Sequence, residues 1–440
     1  MTSPITALPA AKRFVLANAT LPQICVDGID GVEVPACEGL ISADIVVADG
    51  KVEAILKPGE APSGLPSTDR RNGMVWPTFV DMHTHLDKGH IWDRRPNPTG
   101  DFMGALEAVK ADREAKWSAA DVKARMEFSL RTAYAHGTSL IRTHLDSLAP
   151  QHRISFEVFS ELRETWAGKV DLQAAALFPF DQITDETFFN DLVDVIVANK
   201  GLLVGVTYLM PELDEKLDIL FRTASENGLD IDLHVDETQD KETLTLKAIA
   251  EAKIRNAFEG AVTVGHCCSL ARQDDDMAKR TIDLVAEAGL SVVSLPMCNM
   301  YLQDRHPGRT PRQRGVTLFH ELTAAGVATA VSSDNTRDPF YAYGDLDPVE
   351  VFREAVRIIH LDHPLDTAAR VVTRTPADIL KRPDHGRIAV GGKADLVLFS
   401  ARRWSEFLSR PQADRIVMRN GMGIDRSLPD YRELDPLLGV

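Results

Sequence analysis

One pattern repeats along most of this 440-residue chain and limits what it can fold into: an apolar run of strand length, followed by a stretch with apolar residues at three-and-four spacing. The strand candidates are Val75 to His85, Ser139 to Asp146, Val170 to Pro179, Leu202 to Leu209, Leu229 to Asp236, Ala261 to His266, Leu290 to Asn299 and Val327 to Asp334. Helical patterns such as Asp121 to His136, Glu212 to Asn227, Asp240 to Phe258 and Asp274 to Gly289 fill the gaps. Strands alternating with helices predict a parallel sheet, and eight such units in order predict an α/β fold of the (β/α)8 TIM barrel type. The alternative is an open doubly wound sheet, but no Gly-rich phosphate fingerprint follows any of the strands.

The two ends of the chain read differently. Arg13 to Asn18, Ala43 to Ala48 and Lys51 to Ile55, the last two joined by the hairpin turn Asp49-Gly50, are short strands. Gly386 to Val390, Ala394 to Phe399 and Arg415 to Arg419 repeat the pattern. Neither end is large enough to bury much alone. The expectation is a small discontinuous β-sandwich domain, with residues 1–74 and 383–440 flanking a barrel over 75–382.

Composition narrows the partners. At 44% apolar and 26% charged residues, with no apolar stretch long enough for a bilayer, the chain reads as a globular protein with no membrane role. Its net charge of -16 opposes nucleic acid and anionic lipid, and favours a small neutral or cationic substrate. Lys12 and Arg13 follow rather than precede the small-residue stretch, and Asn18 and Pro22 break the next apolar run, so no signal peptide is expected. Cys25, Cys37, Cys267, Cys268 and Cys298 form no regular framework and suggest reduced thiols in a cytoplasmic protein.

In a barrel the chemistry sits where the strands end. The first candidate strand ends in His83-Thr84-His85, and alternate residues on a strand point the same way, so two imidazoles reach one place. His144 ends the second strand, His234 the fifth, His266 the sixth and Asp334 the eighth. The remaining histidines, His90 and His136 among them, lie in loops or helical segments and read as structural. His83, His85, His234 and Asp334 can supply the nitrogen and carboxylate ligands of a hydrolytic divalent ion. Glu237, three residues beyond His234, is placed to pass a proton to a ring nitrogen and to departing ammonia.

These runs resemble the amidohydrolase superfamily, and within it the cytosine deaminase branch. The likeness covers nearly the whole chain and includes Pro77 to Asp87, Arg142 to Asp146, His234 to Glu237, Asn299 to Gln303 and Arg312 to Val316. It implies that His83, His85, His234 and Asp334 bind one Zn or Fe ion. It also implies that His266 orients the water, that Asp334 acts as base and that Glu237 shuttles protons. The lysine that bridges two metals elsewhere in the superfamily is missing from the third and fourth strand ends, so one metal is expected. Lys88, past the first strand, reads as a structural or pocket residue.

Two positions depart from the cytosine deaminase pattern. Phe180 replaces a glutamine that grips the pyrimidine, and a phenyl ring can only stack or exclude. Gln182 could substitute for it if the loop shifts. Asn335 replaces a second acid after Asp334 and resembles the branch acting on N-isopropylammelide. Phe340 and Cys298 read as pocket or packing residues.

The expected activity is hydrolytic deamination of a cyclic amidine or amino-substituted nitrogen heterocycle, with cytosine the nearest named substrate. Alternatives are an aminotriazine, a pterin, isoguanine, creatinine or a cyclic amide, and, from another class, a non-catalytic scaffold of the same fold. A homo-oligomer is expected.

Overall fold

A computed structural model describes residues 8–28 and 38–439, so Cys37 lies outside the described residues. The chain divides into two compact units, one of Met1–Val80, Arg131–Leu140 and Asp347–Leu428, the other of Asp81–Leu130, Ile141–Leu346 and Pro429–Val440.

The second unit carries the barrel. Its strands are β1 (Phe79–Thr84), β2 (Thr138–Asp146), β3 (Asp171–Pro179), β4 (Leu202–Thr207), β5 (Ile231–Val235), β6 (Val262–His266), β7 (Ser291–Ser294) and β8 (Ala328–Val331), the first residues of β1 and β2 belonging to the other unit. Each lies beside its predecessor in one eight-stranded sheet, and the pairs run parallel. A parallel bridge between Thr84 and Asp334, with the Asp334 N–H donating to the His83 carbonyl at 2.9 Å, brings the last strand back to the first. All nine residues of β2 are buried, as expected of a sheet covered on both faces, and this is why the strands read as nearly continuous apolar runs.

Two strand expectations are corrected. Val75–Pro77 does not extend β1 but pairs antiparallel with Leu396–Leu398 in the first unit. Pro77 has no N–H to continue the ladder, and the run breaks there. The seventh strand ends at Ser294 rather than Asn299, because Pro296 opens a helix over Pro296–Leu302.

The first unit holds two four-stranded sheets. Arg13–Pro22, Leu40–Ala48, Lys51–Leu56 and Ser67–Asp69 form one; Val75–Pro77, Leu396–Leu398, Ile416–Arg419 and Met422–Gly423 form the other. Phe14, Leu16, Ile45 and Val47 from the first share one apolar cluster with Leu396, Leu398 and Met418 from the second. The hairpin pairs Ala48 with Lys51. Asp49 at φ 47° and Gly50 at φ 79° give its turn the left-handed pair that matches the strand twist. Beside this core Trp76 stacks on Phe407 with ring centroids 4.9 Å apart. Among the described residues no helix is long and apolar enough to cross a membrane.

Candidate active site

The ends of β1, β5, β6 and β8 bring together the side chains the sequence singled out. His83 is the penultimate residue of β1, and His85 lies just beyond the strand. His83 Nε2 lies 3.2 Å from His234 Nε2, and His234 Nε2 lies 3.3 Å from His85 Nε2. Asp334 Oδ1 is 3.2 Å from His85 Nε2 and 3.7 Å from His83 Nε2. All four residues are buried.

Donors arranged tetrahedrally at the roughly 2.0–2.2 Å bond lengths of a divalent ion stand about 3.3–3.6 Å apart. The spacings of these four donor pairs are close to those of that cage. Neither Asp334 oxygen has a hydrogen-bond partner among the described residues. Burial, foremost, holds the three imidazoles well below the ordinary histidine pKa, which keeps them in the neutral form that can ligate. Burial likewise pushes the Asp334 carboxyl up to about 7.

Glycine makes room for one candidate ligand. A Cβ at Gly265 of β6 would stand 2.9 Å from His83 Cε1, so only a residue without a side chain lets that ring into the centre. The backbone also turns sharply here: Asp236, His266 and Asp334 all have φ between 50° and 70°. Such left-handed conformations cost free energy in non-glycine residues and collect at functional sites.

His266 and Glu237 flank the cage. Asn299 Nδ2 donates to His266 Nδ1 at 2.9 Å and to Glu237 Oε1 at 3.2 Å, tying the two together. With Nδ1 accepting, the neutral His266 ring carries its proton on Nε2, which has no partner among the described residues. Burial lowers the His266 pKa to about 3. Burial first, then the charge of Asp334, pushes the Glu237 carboxyl well above the ordinary glutamate range.

The sequence missed three contributors. Asn299 was read as strand; its place one turn into the helix after β7 is what aims it at Glu237. Asp81 accepts from Ser332 Oγ at 2.6 Å and from the Ser333 N–H at 3.0 Å. Ser332 Oγ in turn accepts from the Met82 and His83 N–H groups at 2.8 and 3.0 Å, pinning β1 to the chain after β8 next to a candidate ligand. An acid inside an apolar strand run was the available signal.

His144 lies with its ring centroid 4.0 Å from that of His83, and its Nε2 is 3.4 Å from Asp232, which also accepts from Arg142 at 2.9 Å. Asp236 is structural: its carboxylate accepts from the N–H groups of Thr245 and Leu246 at the start of the helix Thr245–Arg255.

The predicted pocket residues separate. Phe180 is fully buried, and its ring lies where a Cβ on Gly205 of β4 would come within 2.6 Å of it. Gln182 is half-buried in the short helical turn Phe180–Thr184, and no contact places it with the histidines. Asn335 donates to Asp338 Oδ2 at 2.7 Å, and Cys298 Sγ lies 3.6 Å from Asn335 Oδ1 and 3.8 Å from the Phe340 carbonyl. Phe340 is buried with Lys88 Nζ 4.7 Å above its ring.

Residues 183–421 match the model of the amidohydrolase family. The pterin deaminase of Rhizobium rhizogenes is 73% identical over 432 residues, covering 98% of each chain. The chain belongs to the amidohydrolase family. The N-isopropylammelide isopropyl amidohydrolase of Pseudomonas sp. is 25% identical, over 87% of this chain and 92% of its own. Among solved structures, 5-methylcytosine deaminase from Klebsiella pneumoniae superposes with a TM-score of 0.78 at 21% identity, covering 95% of this chain and 98% of the other. An adenosine deaminase from Xanthomonas campestris with bound zinc has a TM-score of 0.66 at 17% identity, covering 97% and 99%. This amidohydrolase is a hydrolase acting on C–N bonds.

Proposed function

We propose that this amidohydrolase deaminates a pterin: water attacks the ring carbon bearing the exocyclic amine, and 2,4-dihydroxypteridine and ammonia are released. The observation that carries the reading is the near full-length, 73% identity to the pterin deaminase of R. rhizogenes. A pterin, one of the alternatives in the sequence reading, thereby takes precedence over cytosine. The burial of Phe180 against Gly205 supports this order, because no amide at position 180 is available to grip a pyrimidine.

His83, His85, His234 and Asp334 would hold one ion, zinc or iron. When bound, a divalent ion there supplies Lewis acidity and lowers the pKa of a water to near neutrality. Asp334, its oxygens free of protein donors, takes a proton as the water attacks. The outward Nε2–H of His266 orients the attacking oxygen. Glu237, whose carboxyl burial pushes well above the ordinary glutamate range, gives a proton to the ring nitrogen beside the attacked carbon and passes the next to the departing amine. The strand ends Pro179 and Thr207, where a bridging lysine would be needed, support a single metal. We assign the catalysis to the eight-stranded barrel, at whose strand ends the candidate residues stand. Four free, buried cysteines among the described residues favour a cytoplasmic setting.

The test is ammonia release by protein loaded with zinc or iron, across pterin, cytosine, isoguanine, creatinine and an aminotriazine. The highest kcat/KM is expected on pterin. A higher value on cytosine, or no release from pterin, overturns the assignment.

A further inference from the structure

The chemistry above leaves Lys88 without a task, although it stands three residues beyond His85 and is buried. Its Nζ lies 3.7 Å from Asp146 Oδ1, outside hydrogen-bond reach, while the other Asp146 oxygen is taken by Arg113 at 2.8 Å. No described residue accepts a hydrogen bond from Nζ. Below it lies the face of Phe340, at 4.7 Å. Burial opposes the charge, but Asp146, Asp338, Asp87 and Asp334 outweigh it and hold the ammonium above the ordinary lysine pKa. The carbonyl of that same Phe340 lies 3.8 Å from Cys298 Sγ, and Cys298 Sγ stands within 4.8 Å of a carboxylate oxygen of both Glu237 and Asp334. Lys88 therefore lies beside the chamber of the candidate ligands.

Four carboxylates keep the ammonium charged without taking a hydrogen bond from it, so its N–H donors are available to an acceptor that arrives from outside. The surroundings restrict that acceptor. An anionic group brought to Nζ would also meet Asp146 and Asp338, whereas a neutral carbonyl oxygen takes the hydrogen bond without that repulsion. The mount is firm: Asp338 accepts from Asn335 Nδ2 at 2.7 Å, the Phe340 N–H at 2.8 Å and the Tyr341 N–H at 3.1 Å, fixing the loop that carries the ring under Lys88.

We propose that Lys88 is a catalytic residue whose Nζ donates a hydrogen bond to a ring carbonyl oxygen of the heterocycle. There it stabilises the negative charge that conjugation brings to that oxygen when the amidine carbon is attacked. The proposal rests on the pterin reading above.

The experiment compares pterin with 2-aminopteridine, the same ring system without the carbonyl oxygen. Lys88→Met lowers kcat/KM on pterin by about 100-fold or more and on 2-aminopteridine by a much smaller factor, at unchanged metal content. At equilibrium it weakens binding of 2,4-dihydroxypteridine by about ten-fold or more, with 2-hydroxypteridine unaffected. Lys88→Arg keeps the charge against Asp146 and Asp338, and with it the fold, but moves the donors; it loses activity selectively on pterin by a smaller factor. An equal loss on both substrates, in either variant, overturns the proposal. Wild-type turnover of pterin tests the parent reading alone. Should the wild type prefer cytosine, the same comparison on cytosine and 4-aminopyrimidine decides the role of Lys88.

Discussion

In the barrel unit, Asp334 is a buried acid with no hydrogen-bond donor from the described residues, and its pKa is pushed up to about 7. In the other unit, Asp347 is an acid with its side chain 13% exposed that accepts from Arg415 through both oxygens, at 2.7 and 2.6 Å, and from the Val349 N–H at 3.0 Å. Burial opposes its ionisation too, yet Arg415 pulls its pKa below the ordinary aspartate range. Arg415 is itself saturated, donating to the carbonyls of His136, Gln412 and Pro411. One cluster closes on itself and the other is left open to something from outside. Burial alone separates neither role; the completeness of the partners does.

The largest effect that could break this comparison lies in the open cluster. His83→Ala removes one donor of the cage, and metal content together with deamination should fall to the level of metal-stripped protein. Full metal occupancy in that variant, read by elemental analysis, would show that the open cluster is not a metal site. Glu237→Gln comes next: it keeps the shape and the Asn299 contact but not the proton, so kcat should fall about 10²–10⁴-fold at unchanged metal content. Unchanged turnover would remove Glu237 from the mechanism.

The closed cluster should answer in stability instead. Asp347→Asn leaves Arg415 buried beside a neutral partner, and breaking such a pair costs about 3–5 kcal/mol. Urea unfolding measures it, with kcat/KM on pterin unchanged. A variant that lost activity while keeping its stability would erase the distinction between the two clusters.

The sequence made the open cluster visible and hid its supports, for a physical reason. The candidate ligand positions follow from strand periodicity: His83, His85, His234 and Asp334 each stand at or just past the end of an apolar run, and runs of that kind are the strongest local signal a barrel emits. The order of the eight strands follows from the same runs, since a parallel sheet with crossovers has few topologies open to it. Asn299 follows from no such rule. It depends on Pro296 starting a helix inside what reads as strand, and on the path of that helix toward Glu237. The grip of Ser332 on Asp81 and on the N–H of His83 joins residues 251 and 249 positions apart, a distance no periodicity spans. Phe180 was legible as a change of chemistry, but its place against Gly205 was not, because that contact needs the register of β3 and β4.

The smallest effect is one of slope. Asp347 has a folded pKa below its unfolded value of about 3.9, so its contribution is complete above that value and is lost as pH falls through the folded one. The stability gap between wild type and Asp347→Asn should therefore be flat from pH 7 to pH 5 and narrow below about pH 4. Asp338, on the loop beneath Lys88, runs the other way: burial raises its pKa to about 6, against Lys88 and its hydrogen bonds. The unfolded chain ionises that group first, so its contribution falls as pH rises from about 4 to about 6. Asp338→Asn should then gain on wild type across that window, where Asp347→Asn gains nothing. Parallel slopes in the two variants would mean that the chamber around Lys88 and the Asp347–Arg415 pair are electrostatically alike, and that open and closed clusters cannot be told apart by their titration.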